Sequence, residues 1–88
     1  MGHRIELGEI ETAANSLPNM KNSCCLYDKD KQKIVLFYET DDYDDITVVD
    51  ALKNRLQRYM LPNVVHKVDE MPQLKNGKVD RVILSKMM

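Results

Sequence analysis

At 88 residues, with 43% hydrophobic and 31% charged side chains, the chain is long enough for one small folded domain and too apolar to remain disordered. Thirteen basic residues against fourteen acidic ones leave a net charge of -1, which gives no basis for a nucleic-acid or membrane partner, since either calls for a basic excess or stripe. No apolar run approaches the roughly 20 residues that span a bilayer and no signal-peptide pattern opens the chain, so a cytoplasmic location is expected.

In chain order, the first element is a helix. Ile10, Ala13, Ala14 and Leu17 recur at helical spacing behind Glu6-Leu7-Gly8-Glu9-Ile10-Glu11. Glu9 and Glu11 suit the positive end of its macrodipole and Pro18 stops it, which predicts a helix from Gly8 to Ser16. Cys24 to Tyr27 and Lys33 to Glu39 read as strands joined by the polar turn Asp28-Lys29-Asp30-Lys31-Gln32, an antiparallel hairpin. Ile34-Val35-Leu36-Phe37-Tyr38 is almost continuously apolar, so the second strand is expected to be central and covered on both faces.

Cys24 and Cys25 are the only cysteines. Neighbours on a strand point to opposite faces, so a disulfide between them would be strained; one is expected in the core and the other exposed. His3 and His66 fall in no ligand spacing, and no metal site is expected. With no Trp and a single Phe there is no stacking platform for bases. Asp41-Asp42-Tyr43-Asp44-Asp45 lacks the alternating ligands, turn glycine and closing glutamate of an EF-hand loop, and reads as a solvated loop whose last acids favour a helix start.

That helix is expected from Val48 or Val49 through Leu52, Leu56 and Tyr59, with Thr47 as its N-cap, Asp50 three positions on, and Pro62 as its stop. Lys53, Arg55 and Arg58 fall on its later turns, where they complement the negative end. Asn63 to Val68 then reads as a third strand. A strand, helix, strand path favours a right-handed crossover with the two strands parallel. The fold class is a small α+β unit: a three-stranded mixed sheet, two main helices and a short C-terminal helix beside the Lys75 to Lys78 loop.

Asn76-Gly77 is a strong signal for a tight turn whose central residues take positive φ. Lys78 follows at once and is displayed at its tip. On the turn alone that ammonium is either an ordinary solvated charge or a cation delivered to an anionic group.

Two distant segments, taken together, resemble a known family. Gly2-His3-Arg4-Ile5-Glu6-Leu7-Gly8-Glu9-Ile10-Glu11 is similar to the G-x-R-I-E-L-G-E-I-E motif of adenylate-forming enzymes. Tyr59-Met60-Leu61-Pro62, followed by Met71-Pro72-Gln73-Leu74-Lys75-Asn76-Gly77-Lys78-Val79-Asp80-Arg81, resembles that family's closing segments. The likeness covers essentially the whole chain and is to the mobile C-terminal lid subdomain, most closely that of nonribosomal peptide synthetase adenylation domains and D-alanyl carrier protein ligases. One departure is Met71-Pro72-Gln73-Leu74, where the family usually has Leu-Pro-Leu-Thr.

The resemblance implies a reaction in two halves. ATP and a carboxylic acid, here an amino acid, give an acyl-adenylate, and a phosphopantetheine or CoA thiol then takes the acyl group. By position, Lys78 is the implied catalytic lysine of adenylation, with Asn76 and Gly77 in its nucleotide and substrate loop. Gly2, His3 and Arg4 fall in the implied pantetheine-approach loop, Arg4 also being readable as the partner of a carboxylate. Asp80 and Arg81 are expected to hold the turn and cap the tail. ATP and Mg are expected to be bound mainly by an N-terminal catalytic core that precedes Gly2 in the family, and a carrier protein is the implied partner. The 88-residue chain is then a monomeric lid without that core, silent on its own. A stand-alone module that docks on a carrier protein or a separate adenylation core is the other reading.

Overall fold

The computed structural model describes residues 6–88. Helix α1 (Leu7–Asn15) carries Ile10 and Ala14 on its buried face, with Glu9 in the first turn where the helix dipole favours an acid. The chain reverses after Leu17 with Asn19 at φ +63 and enters β1 (Asn22–Asp28). The next reversal is held by Asp28, whose carboxylate accepts from the N–H groups of Asp30 and Lys31 at 3.1 and 3.2 Å. β2 (Lys33–Glu39) then pairs antiparallel with β1, Cys25 opposite Leu36.

Helix α2 (Asp45–Lys53) starts one turn earlier than the apolar spacing predicts. Its N-cap is Asp44, not Thr47: the Asp44 carboxylate accepts from the Thr47 N–H at 2.8 Å. The helix also stops at Asn54 rather than running to Tyr59. There the Arg55 guanidinium donates to the Ala51 carbonyl and to Ser16 Oγ, closing the helix end. The chain turns, Leu56 packs on the core, and a short 3-10 turn (Arg58–Met60) buries Met60 before Pro62. Leu56 keeps helical spacing because the apolar layer under α2 is met again by different backbone, whereas Tyr59 is exposed.

β3 (Val64–Lys67) lies parallel to β2, Val35 opposite Val64, which gives the order β1-β2-β3. β2 is central and its side chains alternate between two apolar layers. Ile34, Leu36 and Tyr38 join Ile10, Ala14, Val48 and Leu52 under α1 and α2. Val35 and Phe37 face the other way, onto Met71 and Leu84 of the C-terminal segment. That second layer is why both cysteines are fully buried, contrary to the expectation that one would be exposed: Cys25 lies in the helix layer and Cys24 in the C-terminal one. The last element, α3 (Arg81–Ser85), is little more than one turn, seated by Leu84.

Candidate functional site

Between β3 and α3 the chain forms a tight hairpin that presents Lys78. Gln73 and Val79 bridge in antiparallel fashion, the Leu74 N–H donates to the Lys78 carbonyl at 2.7 Å, and the Gly77 N–H donates to the Leu74 carbonyl at 2.9 Å. Three residues, Lys75, Asn76 and Gly77, thus close the loop, and Gly77 alone of them takes a positive φ, +86. The sequence expectation of two such residues is corrected: a three-residue loop needs one left-handed position at its end, where the two-residue turn needs two. Asn76 instead accepts the Lys78 N–H on its Oδ1 at 3.0 Å, which stiffens the tip from inside.

The Lys78 side chain is exposed, and among the described residues its ammonium has no carboxylate partner. The base of the hairpin is better anchored than its tip. The Asp80 N–H donates to the Pro72 carbonyl at 2.8 Å, the Met71 N–H donates to Glu39 Oε1 at 3.2 Å, and the Met71 side chain is 2% exposed. Asp80 caps α3 by accepting from the N–H groups of Val82 and Ile83 at 3.1 and 3.2 Å.

Arg81 does something else. Its Nη1 and Nη2 donate to the two carboxylate oxygens of Glu11 on α1 at 2.9 and 3.1 Å, and Nη1 also lies 3.1 Å from Cys24 Sγ. Glu11 Oε2 accepts a third bond, 2.8 Å, from the Cys25 N–H on the outer edge of β1. The Glu11 carboxylate raises the Arg81 pKa further above its ordinary value, against the smaller opposing effect of burial. Burial pushes the Cys24 thiol up, with the Arg81 charge partly opposing it, and pushes the Cys25 thiol up to about 12. The expectation for Arg81 as part of the tail cap is refined: Asp80 is the cap, and Arg81 ties the tail to the first helix. Glu11 was legible only as a dipole acid, because its partner lies 70 residues away.

Glu11, Asn15, Ser23, Gly77, Lys78 and Arg81 are among the residues that line an open depression of about 610 Å³. A second depression, at Asn19 to Lys21 and the acidic loop, is bounded by the exposed ion pair Lys21–Asp41 at 2.9 Å. Among the described residues no group of three or more His, Cys, Asp or Glu is arranged to hold a metal ion. His66 stacks on Phe37 with ring centroids 5.4 Å apart. Gly2, His3 and Arg4 lie outside the described residues.

This fold has counterparts among known proteins. Residues 9–78 match the model of the AMP-binding enzyme C-terminal domain, and the chain belongs to that family, the C-terminal subdomain of adenylate-forming enzymes. Its relatives include chondramide synthase cmdD of Chondromyces crocatus, 35% identical over 91% of this chain. Among solved structures, NpsA of Klebsiella oxytoca superposes with a TM-score of 0.86 over 98% of the chain at 21% identity, a likeness of fold. A four-domain nonribosomal peptide synthetase bound to AMP and glycine is 31% identical over 92% of the chain, with a TM-score of 0.77. The chain spans 2%, 18% and 6% of the lengths of these three proteins.

Proposed function

We propose that this chain is the lid of an amino-acid adenylation enzyme and that Lys78 is the cation it delivers to the reacting oxygens. The observation that carries this reading is the exposed ammonium at the end of a stiff three-residue loop, with no carboxylate partner among the described residues. It is supported by the likeness to a synthetase whose solved form holds AMP and glycine.

In the first half-reaction a substrate carboxylate oxygen attacks the α-phosphorus of ATP, the acyl-adenylate bond forms, and the bond to pyrophosphate breaks. Two anions approach each other, and negative charge builds on oxygens that gain from a fixed cation. A unit charge pair about 4 Å apart is worth roughly 1 kcal/mol in water and about 4 at an effective dielectric of 20. The lysine therefore gains most by arriving with the surface that excludes water. Its long stem tolerates small docking errors, and the Asn76-Gly77 turn fixes where the stem begins.

The magnesium that accompanies ATP is assigned to the N-terminal core. Asp80, the carboxylate next to the hairpin, is already committed to the α3 cap. In the second half-reaction a pantetheine thiol attacks the acyl carbon, the thioester bond forms, the bond to the phosphate oxygen breaks and AMP leaves; the lid presents a different face, so Lys78 leaves the reacting centre.

The test is Lys78→Ala in the adenylating polypeptide that carries this lid. Single-turnover adenylation is expected to fall by about 10²–10³-fold, the loss typical of one oxyanion donor. Thiol transfer from preformed adenylate is expected to continue at its original rate. Equal loss in the two half-reactions would reject the assignment.

A further inference from the structure

The Lys78 hairpin needs more than its own loop to hold the ammonium in one place. Its tip is exposed from Gln73 to Lys78, and its inward attachments lie at the base. Downstream, α3 is five residues long and turns Val82 and Ile83 to solvent at 64% and 46% exposure, leaving Leu84 as its buried side chain. A helix this short has little packing with which to resist rotation.

The geometry points to the Glu11–Arg81 ion pair as a positioning clamp that fixes the Lys78 hairpin against helix α1 for adenylation. This inference rests on the assignment of Lys78 made above. Glu11 is the stationary jaw. It is carried by α1 and held by the Cys25 N–H of β1, so its carboxylate is fixed by both helix and sheet edge before Arg81 arrives. Arg81 is the jaw that travels with the hairpin, three residues after Lys78. Two N–H···O bonds from a planar fork to the two oxygens of one carboxylate restrain angle as well as distance, which a lysine at the same place would not do.

Glu11 sets this pair apart. Its side chain is 17% exposed, with Arg81 at 52%, whereas Lys21–Asp41 and Lys53–Asp50 join side chains that are each more than half exposed. Such open pairs contribute little, and a bidentate pair with its carboxylate shielded keeps more of its attraction. Glu11, Lys78 and Arg81 also line the same depression, so displacement of one jaw moves the surface on which the lysine stands. Both terminal nitrogens of Arg81 are engaged by Glu11, which favours a role through Lys78 over direct contact with an anion.

Glu11→Gln removes the charge while retaining an oxygen for the Cys25 N–H. In the same adenylating polypeptide it is expected to lower adenylation kcat on the order of 10–100-fold, the scale of a misplacement near 1 Å. KM for ATP should change less than kcat, and thiol transfer from preformed adenylate should be unaltered. Combined with Lys78→Ala, Glu11→Gln should cost nothing further, because there is no longer a lysine to place. Arg81→Lys keeps the charge, loses the fork and is expected to behave in the same way, which preserves the test if Glu11→Gln fails to fold.

Full additivity with Lys78→Ala, or equal loss in both half-reactions, would overturn the clamp in favour of a general structural bond. Normal adenylation in Glu11→Gln would overturn it directly, and with Lys78→Ala still impaired the lysine assignment would stand. Normal adenylation in Lys78→Ala would remove the assignment itself, a result visible before the clamp is tested.

Discussion

Cys24 and Cys25 stand side by side on β1, fully buried, and loss of a proton from Cys25 would place a charge in the apolar helix layer, whereas Cys24 has the Arg81 guanidinium 3.1 Å away. Desolvation raises the Cys25 thiol from 9.0 to about 12, and Cys24 shifts in the same direction. Below about 9 the thiol is protonated in folded and unfolded chains alike and its contribution to stability is fully present. Between about 9 and about 12 the unfolded chain releases a proton that the folded chain retains, so stability falls as pH rises. Urea unfolding is therefore expected to show a midpoint that declines across that window, and Cys25→Ala should decline less steeply. A midpoint of unchanged slope in the variant would exclude Cys25 as the source. The strand pattern made the opposite orientations of these residues legible. It could not reveal that both faces are covered, because the covers, α1 and the Met71 to Leu84 segment, come from opposite ends of the chain.

Among the elements, the Lys78 hairpin and α1 make opposite demands on glycine. Gly77 takes φ +86 with nothing within 4 Å of where a Cβ would stand, so Gly77→Ala meets backbone strain without a clash and should cost about 1–2 kcal/mol. Gly8 lies inside α1, also with open space around it and without a left-handed φ. Gly8→Ala should stabilise the chain by up to about 1 kcal/mol through helix propensity. Denaturant unfolding of the two variants reads both signs in one experiment, and equal effects would contradict the backbone argument. Local signals served well for the strands, whose observed bounds include the expected Cys24 to Tyr27 and match Lys33 to Glu39. They served poorly for α2. Its start depends on a side-chain oxygen at Asp44, and its end on Arg55 reaching back to Ala51 and across to Ser16.

At the scale of the whole molecule, the two segments that carry the family likeness are far apart in sequence, and the fold brings Glu11 of the first to Arg81 of the second. The motifs made the lysine tip legible, whereas the contact between them depends on the register of a sheet that neither motif encodes. Among the described residues, the open depression offers ATP one ammonium, that of Lys78, and a single exposed cation is a poor substitute for a cradle of backbone N–H groups. Calorimetry is expected to show no binding at micromolar nucleotide, and a micromolar dissociation constant would contradict this view of the lid. The alternating side chains of β2 divide the interior into two compartments, and the hairpin stands on the smaller one. Neighbouring sulfur atoms look into different compartments, so the chain carries a built-in witness to partial opening. Alkylation at Cys24 before Cys25 would mark loosening beneath the lysine, and the reverse order would mark separation of the two long helices.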